Sequence, residues 1–130
     1  HGCLPALEAA ITSHHVTQAH IFKKGALENP AFVAHAKAND PGSVKELAPM
    51  LVVQGTADTT VPPALTDGYV KSRACKLGDR IEYLHVNGAS HGTVVFASIP
   101  TIVQWMTARL RGVPATSTCG RPGDVVEISP

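Results

Sequence analysis

Met50 to Gly55 reads MLVVQG, and the reading of this short run decides the fold. It is apolar without alternation, preceded by Pro49 and closed by Gly55, which is the pattern of a strand buried on both faces of a parallel sheet. A helix is predicted to follow over Pro63 to Lys76, opened by Pro62-Pro63 and closed by Gly78. RIEYLHVNG, Arg80 to Gly88, reads as the next strand. A last helix carries Phe96, Ile99, Val103, Met106 and Leu110 at alternating spacings of three and four. Ser98 is its candidate cap, Pro100 falls in its first turn, and Gly112 lies just past its end. Strand, helix, strand, helix is the βαβα order of an α/β fold with parallel strands, flanking helices and a right-handed crossover.

Upstream, Leu4 to His14 is predicted helical from the spacing of Leu4, Leu7 and Ile11. Glu28-Asn29-Pro30 reads as a second helix start, with Asn29 capping, Pro30 at the first helical position, and Phe32, Val33 and Ala36 as a short apolar face. Asn39-Asp40-Pro41-Gly42 ends that helix as a turn. Residues 116–130 read as a loop-like tail in which DVVEI is a candidate edge strand. Two clear strands alone leave backbone groups unpaired, so the sheet is expected to need neighbours.

The composition, 130 residues with 44% hydrophobic and 16% charged content, is that of a soluble globular chain. Its formal charge of +1 comes from 11 basic and 10 acidic residues dispersed along the chain, so no basic patch points to nucleic acid or an anionic membrane. The apolar runs are too short to span a bilayer. The first residue is His1 and no signal peptide is visible, so the expectation is a chain cut from a longer one. Of three cysteines, pairing Cys75 with Cys119 would staple the first crossover helix to the tail and leave Cys3 over; three thiols are the alternative.

In parallel α/β folds the loops at the carboxyl ends of the strands gather the polar chemistry. After the first strand comes Thr56-Ala57-Asp58-Thr59-Thr60, and after the second Gly88-Ala89-Ser90-His91-Gly92. An aspartate in such a loop is often only a turn former, and a histidine after a strand is often structural. Together on adjacent strand ends, Asp58 and His91 make a candidate acid–base pair, with Asp58 accepting the Nδ1 proton while Nε2 faces a nucleophile. Gly88 to Gly92 also matches G-x-S-x-G, the nucleophile elbow. An elbow serine, however, needs its acid and histidine further along the chain, and no histidine follows His91, so Ser90 is read as incidental. His14, His15 and His20, with Cys3, match no recognised zinc spacing, and no metal site is expected. His85, inside a strand, is expected to be a hydrogen-bonded core residue.

PMLVVQGTADTTVP, then a helix, then RIEYLHVNGASHG and a closing helix, resembles the carboxy-terminal third of the α/β-hydrolase fold over about Ala48 to Gly112. ENPAF, the Tyr69, Val70 and Cys75 of the intervening helix, and the ending PATSTC with Cys119 extend the resemblance to the secretory lipases of the lipase A type. The resemblance implies that Asp58 is the catalytic acid and His91 the general base. It also implies a Cys75–Cys119 disulfide and no metal or organic cofactor. Residues 1–45 would derive from a helical cap or lid, 46–115 would be the carboxy-terminal hydrolase core, and 116–130 the tail. The family's nucleophilic serine and oxyanion hole lie upstream of any matching position here. The implied function is therefore the carboxy-terminal portion of a secreted serine ester hydrolase, a lipase or esterase acting on an ester or lipid substrate. Such a chain is expected to be inactive alone, and to pair its exposed strand edges with another copy or with the amino-terminal part that carries the nucleophile. The rival readings are a small non-catalytic α/β binding domain and an amide or peptide hydrolase of the same fold.

Overall fold

The computed structural model describes residues 3–17 and 24–129, so His20 lies outside the described residues. The chain divides into two compact units, one ending at Asp40 and the other beginning at Pro41.

The first unit contains α1 (Cys3–Ser13), a 3-10 turn (Ala26–Glu28) and α2 (Pro30–Ala38). Asn29 caps α2 as its sequence context predicts. Its Oδ1 accepts from the amides of Ala31 at 2.9 Å and Phe32 at 3.3 Å, while Pro30 supplies a first-turn residue with no amide to satisfy. No residue of α2 is buried, and of its short apolar face only Val33 is half-covered.

The second unit is built on β1 (Met50–Gly55), β2 (Ile81–Val86) and β3 (Val126–Ile128), a parallel sheet in the order β1-β2-β3. Between β1 and β2 the chain runs through α3 (Pro63–Tyr69), a π-helical turn (Val70–Ala74) and α4 (Cys75–Leu77), ending at Gly78 in the left-handed region at φ 74°. The helix predicted from Pro63 onward is thus present, with a widened turn in its middle. The DVVEI segment supplies β3, pairing Leu84 with Val126, His85 with Glu127 and Val86 with Ile128. Ahead of β3, Thr118 lies against the start of β2: its amide donates to the Ile81 carbonyl at 2.8 Å and its Oγ1 accepts from the Tyr83 amide at 3.2 Å. Cys119 beside it is joined to Cys75 by a disulfide, which ties the tail to the helical crossover. Among the described residues no strand pairs with the outer edge of β1.

Alternation along the strands sorts the side chains onto two faces. Met50, Val52, Ile81 and Tyr83 face the crossover helix and pack with Val70 and Ala74 into the buried core, which Cys75, Cys119 and Val125 border. Leu51 and Val53 face the opposite way, toward α5 (Thr93–Leu110), across an apolar cavity of about 540 Å³ that Val94, Ile102 and Trp105 also line.

The final helix departs from the sequence expectation in two respects. It begins before Ser98, so Ser98 is no cap: it is buried mid-helix, its Oγ donating to the Val94 carbonyl at 2.6 Å, and Pro100 likewise falls inside the helix. The stripe Phe96, Ile99, Val103, Met106 and Leu110 is also exposed, Phe96 by 74% and Leu110 by 87%. The sheet instead meets Val94, Ser98, Ile102 and Trp105. The helix is apolar on more than one side, and the 3.6-residue period alone does not choose between the sides.

Candidate active site

The two loops at the carboxyl ends of β1 and β2 are locked to each other before any side chain of the site is considered. The Thr56 amide donates to the Val86 carbonyl at 3.1 Å, the Ala57 amide to the Ala89 carbonyl at 3.0 Å, and the Gly88 amide to Thr56 Oγ1 at 2.8 Å. This approach requires Gly55 to lack a side chain, because a Cβ there would collide with the Ala89 carbonyl. Gly88 makes the reverse turn at φ 72°.

That clamp brings Asp58 and His91 together, with Asp58 Oδ2 2.9 Å from His91 Nδ1. The pair is asymmetric in exposure: the Asp58 side chain is 4% exposed and the His91 ring 58%. Asp58 Oδ1 accepts from the amides of Thr60 and Val61, both at 2.9 Å, so its own loop folds around the carboxylate as a turn. Burial alone pushes the Asp58 carboxyl upward. The Val61 amide, the His91 ring and the Thr60 amide together outweigh burial and hold it below the ordinary aspartate value. An ionised Asp58 can only accept, so Nδ1 carries the proton and the lone pair of a neutral ring lies on Nε2. No described residue hydrogen-bonds Nε2. The arrangement holds a half-exposed imidazole in one tautomer against a buried carboxylate, the geometry that an acid–base pair needs.

Ser90 does not join this pair. Thr93 Oγ1 accepts from the Ser90 amide at 2.8 Å, Ser90 Oγ accepts from the Thr93 amide at 3.4 Å, and the Val94 amide reaches the Ser90 carbonyl at 2.9 Å. Ser90 and Thr93 thus bond reciprocally in the manner of a capping box, with Thr in the place usually held by Glu or Gln, across the turn that leads into α5 at Thr93. The G-x-S-x-G match is a helix start. The S-x-x-T spacing signalled it in the sequence, and the cap expected at Ser98 lies here instead.

Sequence reading also missed Gln54. Buried at 5% exposure, its Nε2 lies 3.1 Å from the Gly55 carbonyl, 3.1 Å from the Val61 carbonyl and 3.4 Å from Asp58 Oδ2, while its Oε1 accepts from Thr66 Oγ1 at 2.6 Å. His85 is hydrogen-bonded, as expected, but it is half-buried beside Asp67 and Glu127 and does not belong to the core. Its Nε2 lies 3.0 Å from Asp67 Oδ1 and 2.9 Å from the Tyr83 hydroxyl, and its Nδ1 lies 2.9 Å from Glu127 Oε1.

Parallel strands with a hydrogen-bonded acid and histidine on adjacent carboxyl-end loops define an α/β protein with a polar site where such folds gather their chemistry. A family model described as Secretory lipase matches residues 11–118, and the chain belongs to that family of lipase-like hydrolases. No curated protein and no solved structure matched the chain. No helix among the described residues is long and apolar enough to cross a membrane.

Proposed function

We propose that the chain is the carboxy-terminal, acid- and base-bearing part of a secreted serine ester hydrolase of the α/β-hydrolase fold. Asp58 is the acid and His91 the general base. The observation that carries this reading is the 2.9 Å contact between the buried Asp58 carboxylate and His91 Nδ1, which leaves Nε2 unpartnered among the described residues. In the reaction, Nε2 takes the proton of a serine hydroxyl as the serine oxygen bonds to the ester carbonyl carbon. Asp58 stabilises the imidazolium, and Nε2 then protonates the departing alcohol oxygen. Water repeats the sequence on the acyl-enzyme and releases the acid.

The serine and the oxyanion donors come from another segment of the same protein. Two features support this. Ser90 is engaged as a helix cap, and α5 carries apolar residues on the side away from the sheet as well as on the side toward it, the character of a helix covered on both sides in a larger core. The unpaired edge of β1 fits the same reading. Residues 1–45 derive from a helical cap or lid segment, and the family together with the Cys75–Cys119 disulfide supports secretion.

The test is hydrolysis of short- and long-chain p-nitrophenyl esters by the 130-residue chain and by the longest natural form of the protein, identified by intact mass and amino-terminal sequence. The expected result is no turnover by the short chain. The long form should turn over, and Asp58→Asn and His91→Ala should each reduce kcat by about 10³-fold or more. Turnover by the short chain that Ser90→Ala abolishes would overturn the assignment of the nucleophile. Activity of the long form unchanged in His91→Ala would overturn the whole reading.

A further inference from the structure

Asp58 Oδ2, the oxygen that meets His91, has a second donor within reach in Gln54. Gln54 is the penultimate residue of β1 and lies opposite His85 in the ladder, so its side chain leaves the sheet on the α3 side. From there it touches the acid loop at three places: the Gly55 carbonyl where the loop starts, Asp58 in its middle, and the Val61 carbonyl near its end.

The orientation of the carboxamide is determined by its partners. Oε1 can only accept, and it faces the Thr66 hydroxyl, which must then donate. Nε2 faces three acceptors and shares its two protons among them. The flipped amide would set a lone-pair oxygen against two carbonyls and a carboxylate, so Thr66 on α3 selects the orientation that favours the site. A neutral donor in this place suits the buried carboxylate. Glutamate would set a second negative charge against Asp58, and leucine would leave Oδ2 with His91 alone.

We propose that Gln54, locked by Thr66, is a positioning residue for the acid–base pair, fixing the Asp58 carboxylate so that Oδ2 faces His91 Nδ1. The role rests on the reading of Asp58 and His91 as acid and base given above. Gln54 acts through Asp58 and forms no hydrogen bond with the imidazole itself.

The test reads the His91 Nδ1 proton by NMR in the 130-residue chain labelled with ¹⁵N-histidine, so it needs no catalytic turnover. In Gln54→Leu this proton should exchange with solvent about tenfold faster or more, as expected for loss of one buried hydrogen bond to a charged group. Thr66→Val should move it in the same direction by less. Gln54→Glu should keep the proton near about pH 5, where the buried Glu still carries a proton to donate, and lose it near about pH 8, whereas the parent chain keeps it at both. A merely structural role for Gln54 predicts no such pH dependence. An Nδ1 proton that behaves identically in parent, Gln54→Leu and Gln54→Glu chains overturns the proposal.

Should Gln54→Leu not fold, the parent chain decides. Carboxamide protons of Gln54 that exchange with solvent far more slowly than those of an exposed glutamine such as Gln104 support a fixed amide, and equal exchange overturns it. The outcomes separate from those of the hydrolase reading. Absent ester hydrolysis in the long form with a Gln54-dependent Nδ1 proton sinks that reading and leaves the positioning role, and active hydrolysis with a Gln54-independent proton does the reverse.

Discussion

Ser90 and Thr93 cap one another at the start of α5, their hydroxyl oxygens 3.0 Å apart and each accepting from the other's amide. Ser90→Ala is therefore expected to cost about 1 kcal/mol of stability, the usual cost of losing an N-cap. Urea denaturation measures this, and the His91 Nδ1 resonance should stay in place because Ser90 forms no hydrogen bond with the ring. Unchanged stability would mean that the capping box does not operate.

Gly55→Ala should be among the more damaging single substitutions at the site. The new methyl would meet the Ala89 carbonyl, a backbone atom that cannot move aside without parting the two loops. Overpacking of this kind costs about 1–3 kcal/mol. The specific signature is loss of the Asp58–His91 hydrogen bond together with the stability, and a variant that is destabilised while keeping that bond would show that the loop clamp is not what joins the pair.

Reducing or removing the Cys75–Cys119 disulfide opens a loop of sequence separation 44. A stabilisation of about 2–4 kcal/mol should be lost. Hydrogen exchange should locate the loosening first around Thr118 and β3, which the bridge holds beside β2. Equal denaturation midpoints for the oxidised chain and the Cys75→Ser, Cys119→Ser double variant would refute this.

At acid pH the sign follows from Asp58. Its folded-state pKa lies below the ordinary value, so the unfolded chain binds that proton more tightly. The contribution is complete above about pH 4 and is lost as pH falls through the folded-state value. Asp58→Asn, less stable than the parent at neutral pH, should show a shallower decline below about pH 4. Parallel stability curves for the two chains would count against a depressed Asp58.

Tyr83 acts at the other end of the scale. Burial, then its hydrogen bond to Asp67 at 2.6 Å, raises its pKa, so the folded state holds the phenol proton more tightly than the unfolded chain. That stability is present below the ordinary tyrosine value near about pH 10 and is lost as pH rises beyond it. Tyr83→Phe should flatten the alkaline decline without removing it, because Tyr69 is also raised, by burial and by the charges of Asp79 and Glu46. A decline as steep in the variant as in the parent would place the alkaline transition elsewhere.

Much of this architecture was legible from local chemistry. MLVVQG and RIEYLHV announce strands because each is a short, largely apolar run closed by a glycine turn, although Met50 to Val53, expected to be buried on both faces, are only half-buried in this edge strand. Asn29-Pro30 announces a helix start because the cap and the missing amide act within one turn. Asp58 and His91 stood out because each follows a strand directly, where a loop residue has little freedom to be elsewhere. β3 was legible only as a candidate, since a parallel partner is reached through a long crossover and nothing in DVVEI names the strand it joins.

The sequence by itself therefore determined the order of strands and helices and the two residues at the strand ends, since these depend on periodicity and on neighbours a few positions apart. Three things were decided only by the tertiary structure. The register of β1 on β2 sets Gln54 on the α3 side of the sheet, where Thr66 and Asp58 converge on it. The close approach of Gly55 to Ala89 brings the two loops within hydrogen-bonding distance. The sheet also chose which side of α5 it would cover, taking Ser98 and Trp105 and leaving Phe96 and Leu110 exposed. Each of these contacts joins residues far apart in the chain, so the physics that selects them is packing in three dimensions, which no local pattern encodes.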